Sequence, residues 1–243
     1  MKRAVVLSLS IFTLGTVHSA PTAHWGYAGA EGPSHWAELS PEYRSCSGRN
    51  QSPIDLGHFV DSDLPQITFS YRGAGHEMVN NGHTVQINFS ADNRMQLEGR
   101  EYRLLQLHFH APSEHRLQGR QFPMEAHLVH ADADGNLAVV AVLFQEGAEN
   151  GWLDGSWPVM PGHAGAKVQL KKGVSADGLL PEKRDFYRYN GSLTTPPCSE
   201  GVRWVVMKQP VSASRTQIET FRHTLHEPNN RPVQPLNARL VLE

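Results

Sequence analysis

From Gln66 onward, apolar and polar residues alternate in short runs, the period of half-buried strands. Ile67-Thr68-Phe69-Ser70-Tyr71 alternates, Asn81-Gly82 signals a turn, and Thr84 to Phe89 alternates again. Tyr102 to His110 and Met124 to His130 read as two further strands. Asp134-Gly135 marks a tight turn. Leu137 to Phe144 is continuously apolar, as expected of a strand at the centre of a sheet. Val202 to Met207 supplies one more. The clearest helix runs from Ser214 to about Leu225. Ser214 and Gln217 have capping-box spacing, Ile218, Phe221 and Leu225 form one stripe, and Pro228 stops it. The pattern predicts a predominantly β domain with few helices.

The same alternation sorts chemistry onto one face. Residues two apart on a strand share a side. In Gln106-Leu107-His108-Phe109-His110, the glutamine and both histidines point together, away from Leu107 and Phe109. In Glu125-Ala126-His127-Leu128-Val129-His130, Glu125, His127 and Val129 share a face, and His130 falls on the other, where it reads as structural. If the two runs pair, His108, His110 and His127 converge. Three imidazoles with one open position suit a catalytic zinc. Gln106 and Glu125 each sit two residues before a histidine whose second ring nitrogen they could engage. A His-x-His on an amphipathic strand is also compatible with two solvent-facing histidines. The carboxylate at matching parity in the second run favours the metal.

Composition narrows the setting. The chain has 243 residues and a formal net charge of −2. No basic stripe appears, which disfavours nucleic-acid binding. Residues 1–20 have the layout of a secretory signal: Lys2-Arg3, a largely apolar stretch from Ala4 to Val17, then small Ser19 and Ala20. A cut after Ser19 fits better than one before Pro21. The apolar stretch is too short to span a membrane, so no anchor is expected. Residues 21–243 amount to one domain. Cys46 and Cys198 are the two cysteines. An exported setting favours a disulfide between them, with two buried free thiols as the alternative.

Two further segments could complete a site. Gly191-Ser192-Leu193-Thr194-Thr195-Pro196-Pro197 reads as a rigid loop whose hydroxyls could approach a metal-bound oxygen. Asn80-Asn81-Gly82-His83 places a histidine at a turn; alone it reads as a surface residue. With His24-Trp25-Gly26-Tyr27, Asn50-Gln51-Ser52-Pro53, Ser113-Glu114-His115, Trp204 and the segment from Asn229 to Leu236, these stretches occur in family order. Together they closely resemble the α-class carbonic anhydrases, over nearly all of the exported chain.

The resemblance implies a single domain of mainly β (α+β) class, built on a large, mostly antiparallel twisted β-sheet with a few short peripheral helices. It implies a zinc metalloenzyme for reversible CO2 hydration, in which hydroxide formed at zinc attacks the gas and a histidine exports the proton. His108, His110 and His127 would hold Zn2+. Gln106, Glu125 and the Asn229 carbonyl would steady them. Thr194 would accept from the nucleophile and donate to Glu114, and Thr195 would line the site. His83 would carry protons. Val129, Val139, Leu193, Val202 and Trp204 would form the apolar pocket. Cys46 and Cys198 match the disulfide of secreted members. The short spacer between Glu114 and Glu125 suggests a bacterial relative, hence a periplasmic or secreted protein, with a homodimer possible since bacterial relatives are often dimers. Asn230 departs from the pattern: vertebrate members usually carry Trp there.

The chemistry is coherent. Carbon dioxide is small and uncharged, so an apolar wall is the available way to hold it. Three neutral imidazoles leave zinc its full double charge, which thiolates would offset. A histidine with an ordinary pKa near ~6.5 both takes and releases protons around neutrality. One rival is a cupin-like metal site with Glu114 as a ligand, but Pro161-Gly162-His163 does not fit a second cupin motif. The other is a binding module on the same fold, disfavoured because all three histidines are present.

Overall fold

The protein is described from a computed structural model, which covers residues 23–90 and 92–243. The export-signal reading of residues 1–20 lies outside the described residues.

One large sheet organises the chain. Its main path runs Lys167–Ser175, Ala74–Asn80, Val85–Asn88, Arg100–His110, Met124–Ala131, Leu137–Glu146, Glu200–Met207, Phe186–Ser192, Val241–Leu242 and Phe59–Val60. Most neighbours are antiparallel, but Leu137–Glu146 pairs parallel with Glu200–Met207, so the sheet is mixed. A parallel neighbour requires a crossover. The chain between residues 147 and 199 supplies it, including the strands Lys167–Ser175 and Phe186–Ser192.

The two faces bury different cores. Leu107, Phe109, Ala126, Leu128, Val140, Val142, Val205 and Met207 belong to the larger cluster, which the helix Arg215–Leu225 covers with Ile218 and Phe221. Val129, Val139, Ala141, Val202, Trp204 and Val206 belong to a second cluster on the opposite side. Alternate residues of the same strands thus enter different cores. This is why Leu137 to Phe144 reads as continuously apolar: both of its faces are covered.

The helix starts on the expected capping box. Ser214 Oγ accepts from Gln217 N at 3.3 Å, and Gln217 Oε1 accepts from Ser214 N at 3.0 Å. It ends when His226 turns left-handed at φ 66°, two residues before Pro228. The N-terminal aromatics Trp25 and Tyr27 pack with Trp36, Tyr43, Cys46 and Cys198 in a third cluster. The cysteines form a disulfide that joins residues 152 apart.

Candidate metal centre

Strand register brings the three histidines together. His127 lies opposite His108, and Glu125 lies opposite His110, in the antiparallel pair Met124–Ala131 with Arg100–His110. One atom from each of His108, His110 and His127 lies within 4.8 Å of the others. Period-2 geometry makes the cluster almost unavoidable once this register is set.

Each ring has one nitrogen engaged by the protein. His108 Nδ1 donates to Gln106 Oε1 at 2.8 Å. His110 Nδ1 donates to the Asn229 carbonyl at 2.7 Å. His127 Nε2 donates to Glu125 Oε1 at 2.8 Å. Hydrogen-bond polarity therefore leaves lone pairs on His108 Nε2, His110 Nε2 and His127 Nδ1. His110 Nε2 is buried and has no hydrogen-bond partner. A desolvated, unpaired acceptor is costly unless a cation or donor meets it. Burial, and then repulsion from His110 and His127, hold the His108 imidazole well below its ordinary 6.5. Burial also lowers His110, against the pull of Glu114. Neutral rings are what a metal requires, so the residues present fit a divalent ion with nitrogen preference.

Glu125 anchors a longer buried chain. Its Oε2 accepts from the backbone N–H groups of Glu114 and His115, both at 2.8 Å. Its Oε1 accepts from His127 and from His115 Nδ1 at 2.6 Å. Burial is the largest single influence and raises its pKa. The facing His115 and His127, with their hydrogen bonds, outweigh it and hold the carboxyl well below the usual carboxylate range. Because Glu125 is an acceptor, His115 Nδ1 carries a hydrogen and His115 Nε2 accepts from the Tyr189 hydroxyl at 2.7 Å. Tyr189 in turn meets Ser52 Oγ at 2.9 Å, which accepts from Ser192 N at 3.0 Å. Every proton in the chain has one place. His115, Glu125 and His127 also cluster closely enough to hold a metal, but the nitrogens facing Glu125 are spent on hydrogen bonds.

The other site residues lie around this centre. Glu114 is buried; Oε1 accepts from Arg231 N at 2.8 Å. Its Oε2 lies 3.5 Å from His110 Nε2 and 3.9 Å from His127 Nδ1. Thr194 is buried on the loop after Phe186–Ser192, and that loop is closed by Leu193 N to Ser199 O and Cys198 N to Thr195 O. No hydrogen bond joins Thr194 to Glu114. Val129, Val139, Val202 and Trp204 pack in one cluster with Leu193 against them, and the Trp204 ring stands 4.9 Å from that of His127. His83 is half-buried and stacks on Trp25, centroids 3.7 Å apart and planes within 8°. Burial and then His24 lower its pKa from 6.5. Gly191 is required by close approach: a Cβ there would run into Ser52 Oγ.

Sequence reasoning assigned no role to His115, Tyr189, Ser52 or Arg231. They come from separate segments with no shared period, and only the adjacency of His115 to Glu114 hinted at one of them.

Comparisons with known proteins show the family. The family model for eukaryotic-type carbonic anhydrase matches residues 31–243. The chain belongs to the α-class carbonic anhydrase family. These enzymes are carbonate dehydratases, that is, lyases. A carbonic anhydrase of Neisseria gonorrhoeae is 45% identical over 240 residues, covering 98% of this chain and 95% of its own. One from Pectobacterium atrosepticum is 41% identical over 243 residues and 100% of both chains. The α-carbonic anhydrase of Thermovibrio ammonificans, solved with the inhibitor sulfanilamide, superposes with a TM-score of 0.90 at 50% identity, over 92% of this chain and 100% of that one. Among the described residues, no helix is long and apolar enough to cross a membrane.

Proposed function

We propose that this carbonic anhydrase family member holds one zinc on His108 Nε2, His110 Nε2 and His127 Nδ1, and catalyses reversible hydration of carbon dioxide to bicarbonate and a proton. The observation that carries the reading is the division of labour on the three rings. One nitrogen of each is tied to Gln106, Asn229 or Glu125, the other is left for a ligand role, and the three residues offer ligand atoms within 4.8 Å of one another. Zinc in such a site lowers the pKa of a bound water to about 7, a figure established on carbonic anhydrases themselves.

The chain's own residues supply the rest. Glu125 and Gln106 fix the ring orientations and the tautomers that leave the inward nitrogens bare. Val129, Val139, Leu193, Val202 and Trp204 exclude water and give the uncharged gas an apolar wall. Thr194 orients the attacking oxygen, with Thr195 beside it. Glu114 Oε2 has no hydrogen-bond partner in the structure, and an ionised carboxylate is acceptor-only, so a Thr194 hydroxyl turned onto it would give up its single hydrogen and leave its own oxygen to accept. His83 receives the proton released in each cycle and passes it to solvent, an imidazole being the side chain whose ordinary titration range lies nearest neutrality. We also infer export to an oxidising compartment, the periplasm or the outside, supported by the residue 1–20 pattern and the Cys46–Cys198 bridge.

The test is CO2 hydration by the purified protein before and after chelation, with zinc quantified. Activity that tracks one zinc per chain and returns on readdition is expected. Substoichiometric zinc in a fully folded protein, or activity indifferent to chelation, would defeat the reading.

A further inference from the structure

Thr84 opens the strand Val85–Asn88, immediately after His83. It is 6% exposed, and its hydroxyl is spent on the neighbouring strand. Thr84 Oγ1 donates to the Phe109 carbonyl at 2.6 Å and accepts from the Phe109 N–H at 3.2 Å. The Val85–Asn88 ladder with Arg100–His110 has its last paired position at Gln86 and His108. At the next step the threonine side chain, rather than a backbone, satisfies both polar groups of Phe109. That peptide lies between His108 and His110.

A second group closes the same contact. Asn229 Nδ2 donates to the His83 carbonyl at 3.0 Å and to the Phe109 carbonyl at 2.9 Å. Its Oδ1 accepts from Ala111 N at 2.9 Å, and its own carbonyl takes the His110 ring. The turn is stiff as well. Asn81 Oδ1 accepts from both His83 N and Thr84 N at 2.9 Å, and Asn80 Oδ1 accepts from Gly82 N, where φ is +90°. Phe109 is held from the other side by its ring, which packs on Trp157 and Phe221 in the larger core.

We propose that Thr84 is a positioning residue: with the Asn229 side chain it clamps the His83 turn to the peptide between His108 and His110, and so sets the reach of the proton-carrying imidazole to the metal. Valine has nearly the same shape and would suit the start of a strand. The structure gives the hydroxyl its two shorter hydrogen bonds at Phe109, with a longer one of 3.4 Å to the Val85 carbonyl, and valine could make neither of the two at Phe109. The inference rests on the reading of His83 as proton carrier.

The experiment compares Thr84→Val, Thr84→Ser and His83→Ala, alone and with Thr84→Val added to His83→Ala, all zinc-loaded. Proton export follows the chemical step, so a displaced His83 lowers kcat at low buffer and spares kcat/KM. Thr84→Val should cut low-buffer kcat about threefold or more, leave kcat/KM within about twofold, and recover with imidazole, a mobile proton carrier. Thr84→Ser should behave as the parent. Thr84→Val should cost nothing more in the His83→Ala background. Two readouts need no turnover. Amide exchange at Phe109 should quicken about tenfold on loss of one buried hydrogen bond. The His83 ring protons, shifted by the stacked Trp25 indole, should move toward their free positions.

The proposal is overturned if Thr84→Val leaves low-buffer kcat unchanged while His83→Ala lowers it. It is also overturned if kcat and kcat/KM fall together, or if the loss is equal with and without His83. If His83→Ala itself has no effect, the proton-carrier reading fails. The His83 ring shift then still decides whether the clamp positions that side chain. Should valine prevent folding, Thr84→Ala gives the same comparison.

Discussion

Replacing Glu125 by Gln changes one atom and forces a choice on four donors. The two oxygens of Glu125 accept from two backbone N–H groups and two ring nitrogens, at 2.6–2.8 Å, in a site with no exposure. A glutamine has one oxygen and one NH2. If the NH2 faces Glu114 N and His115 N, two buried donors that cannot change lose their acceptor. At about 1–3 kcal/mol each, the fold weakens by about 2–6 kcal/mol. If the amide flips, the NH2 faces His115 and His127. His127 must then bare Nε2 and carry its hydrogen on Nδ1, the nitrogen turned toward His108 and His110. The first arrangement costs stability and the second disturbs a metal-facing ring, where loss of such a partner costs about 10- to 100-fold in metal affinity. The assay is zinc affinity by competition with a chromophoric chelator, paired with urea unfolding of the metal-free protein. Zinc affinity within about twofold of the parent, with an unchanged urea midpoint, would refute the claim that Glu125 sets the tautomer of His127.

Three other outcomes follow from the same structure. His83→Ala should slow CO2 hydration at low buffer and recover with added imidazole, read by stopped flow; an unchanged low-buffer rate counts against a proton role. His130 is fully buried beside the Tyr71 hydroxyl at 2.7 Å, and burial lowers its pKa from 6.5 to about 4. The unfolded chain therefore takes up a proton below pH 6.5 that the folded one refuses, and stability falls from pH 6.5 toward pH 4 by about 3 kcal/mol from this group. Urea midpoints of His130→Gln should lose that part of the acid slope; an identical slope contradicts the assignment. Opening the Cys46–Cys198 bridge, which spans 152 residues, should cost up to about 5 kcal/mol in the chain-entropy account. Chemical unfolding with and without reductant measures it, and a change below about 1 kcal/mol would mean that the reduced chain is already constrained.

Much of the site lay on the surface of the sequence because strands encode faces locally. Gln106, His108 and His110 needed only alternation to share a side, and Glu125 with His127 likewise. The strands Ala74–Asn80, Lys167–Ser175 and Phe186–Ser192 were not anticipated. Lys167–Ser175 is mostly polar and lies at a sheet edge, so burial impresses little periodicity on it. Phe186–Ser192 runs straight into the segment read as a Pro-punctuated loop. The pairing of Leu137–Glu146 with Glu200–Met207 is parallel, and no local signal distinguishes that from the antiparallel neighbour on its other side.

What the chain's order of residues determined alone was which side chains share a face, where the capped helix begins, and which residue types could ligate a metal. Those properties depend on backbone period and side-chain chemistry, which act within a few residues. Only the tertiary structure decided the register that sets His127 opposite His108, and the carbonyl of Asn229 on His110, 119 positions away. It alone threaded His115, Tyr189 and Ser52 into one line of protons and put the Thr84 hydroxyl on the peptide between two ligands. Such contacts answer to the satisfaction of buried polar groups, a condition imposed by the packed whole and carried by no short stretch of the chain.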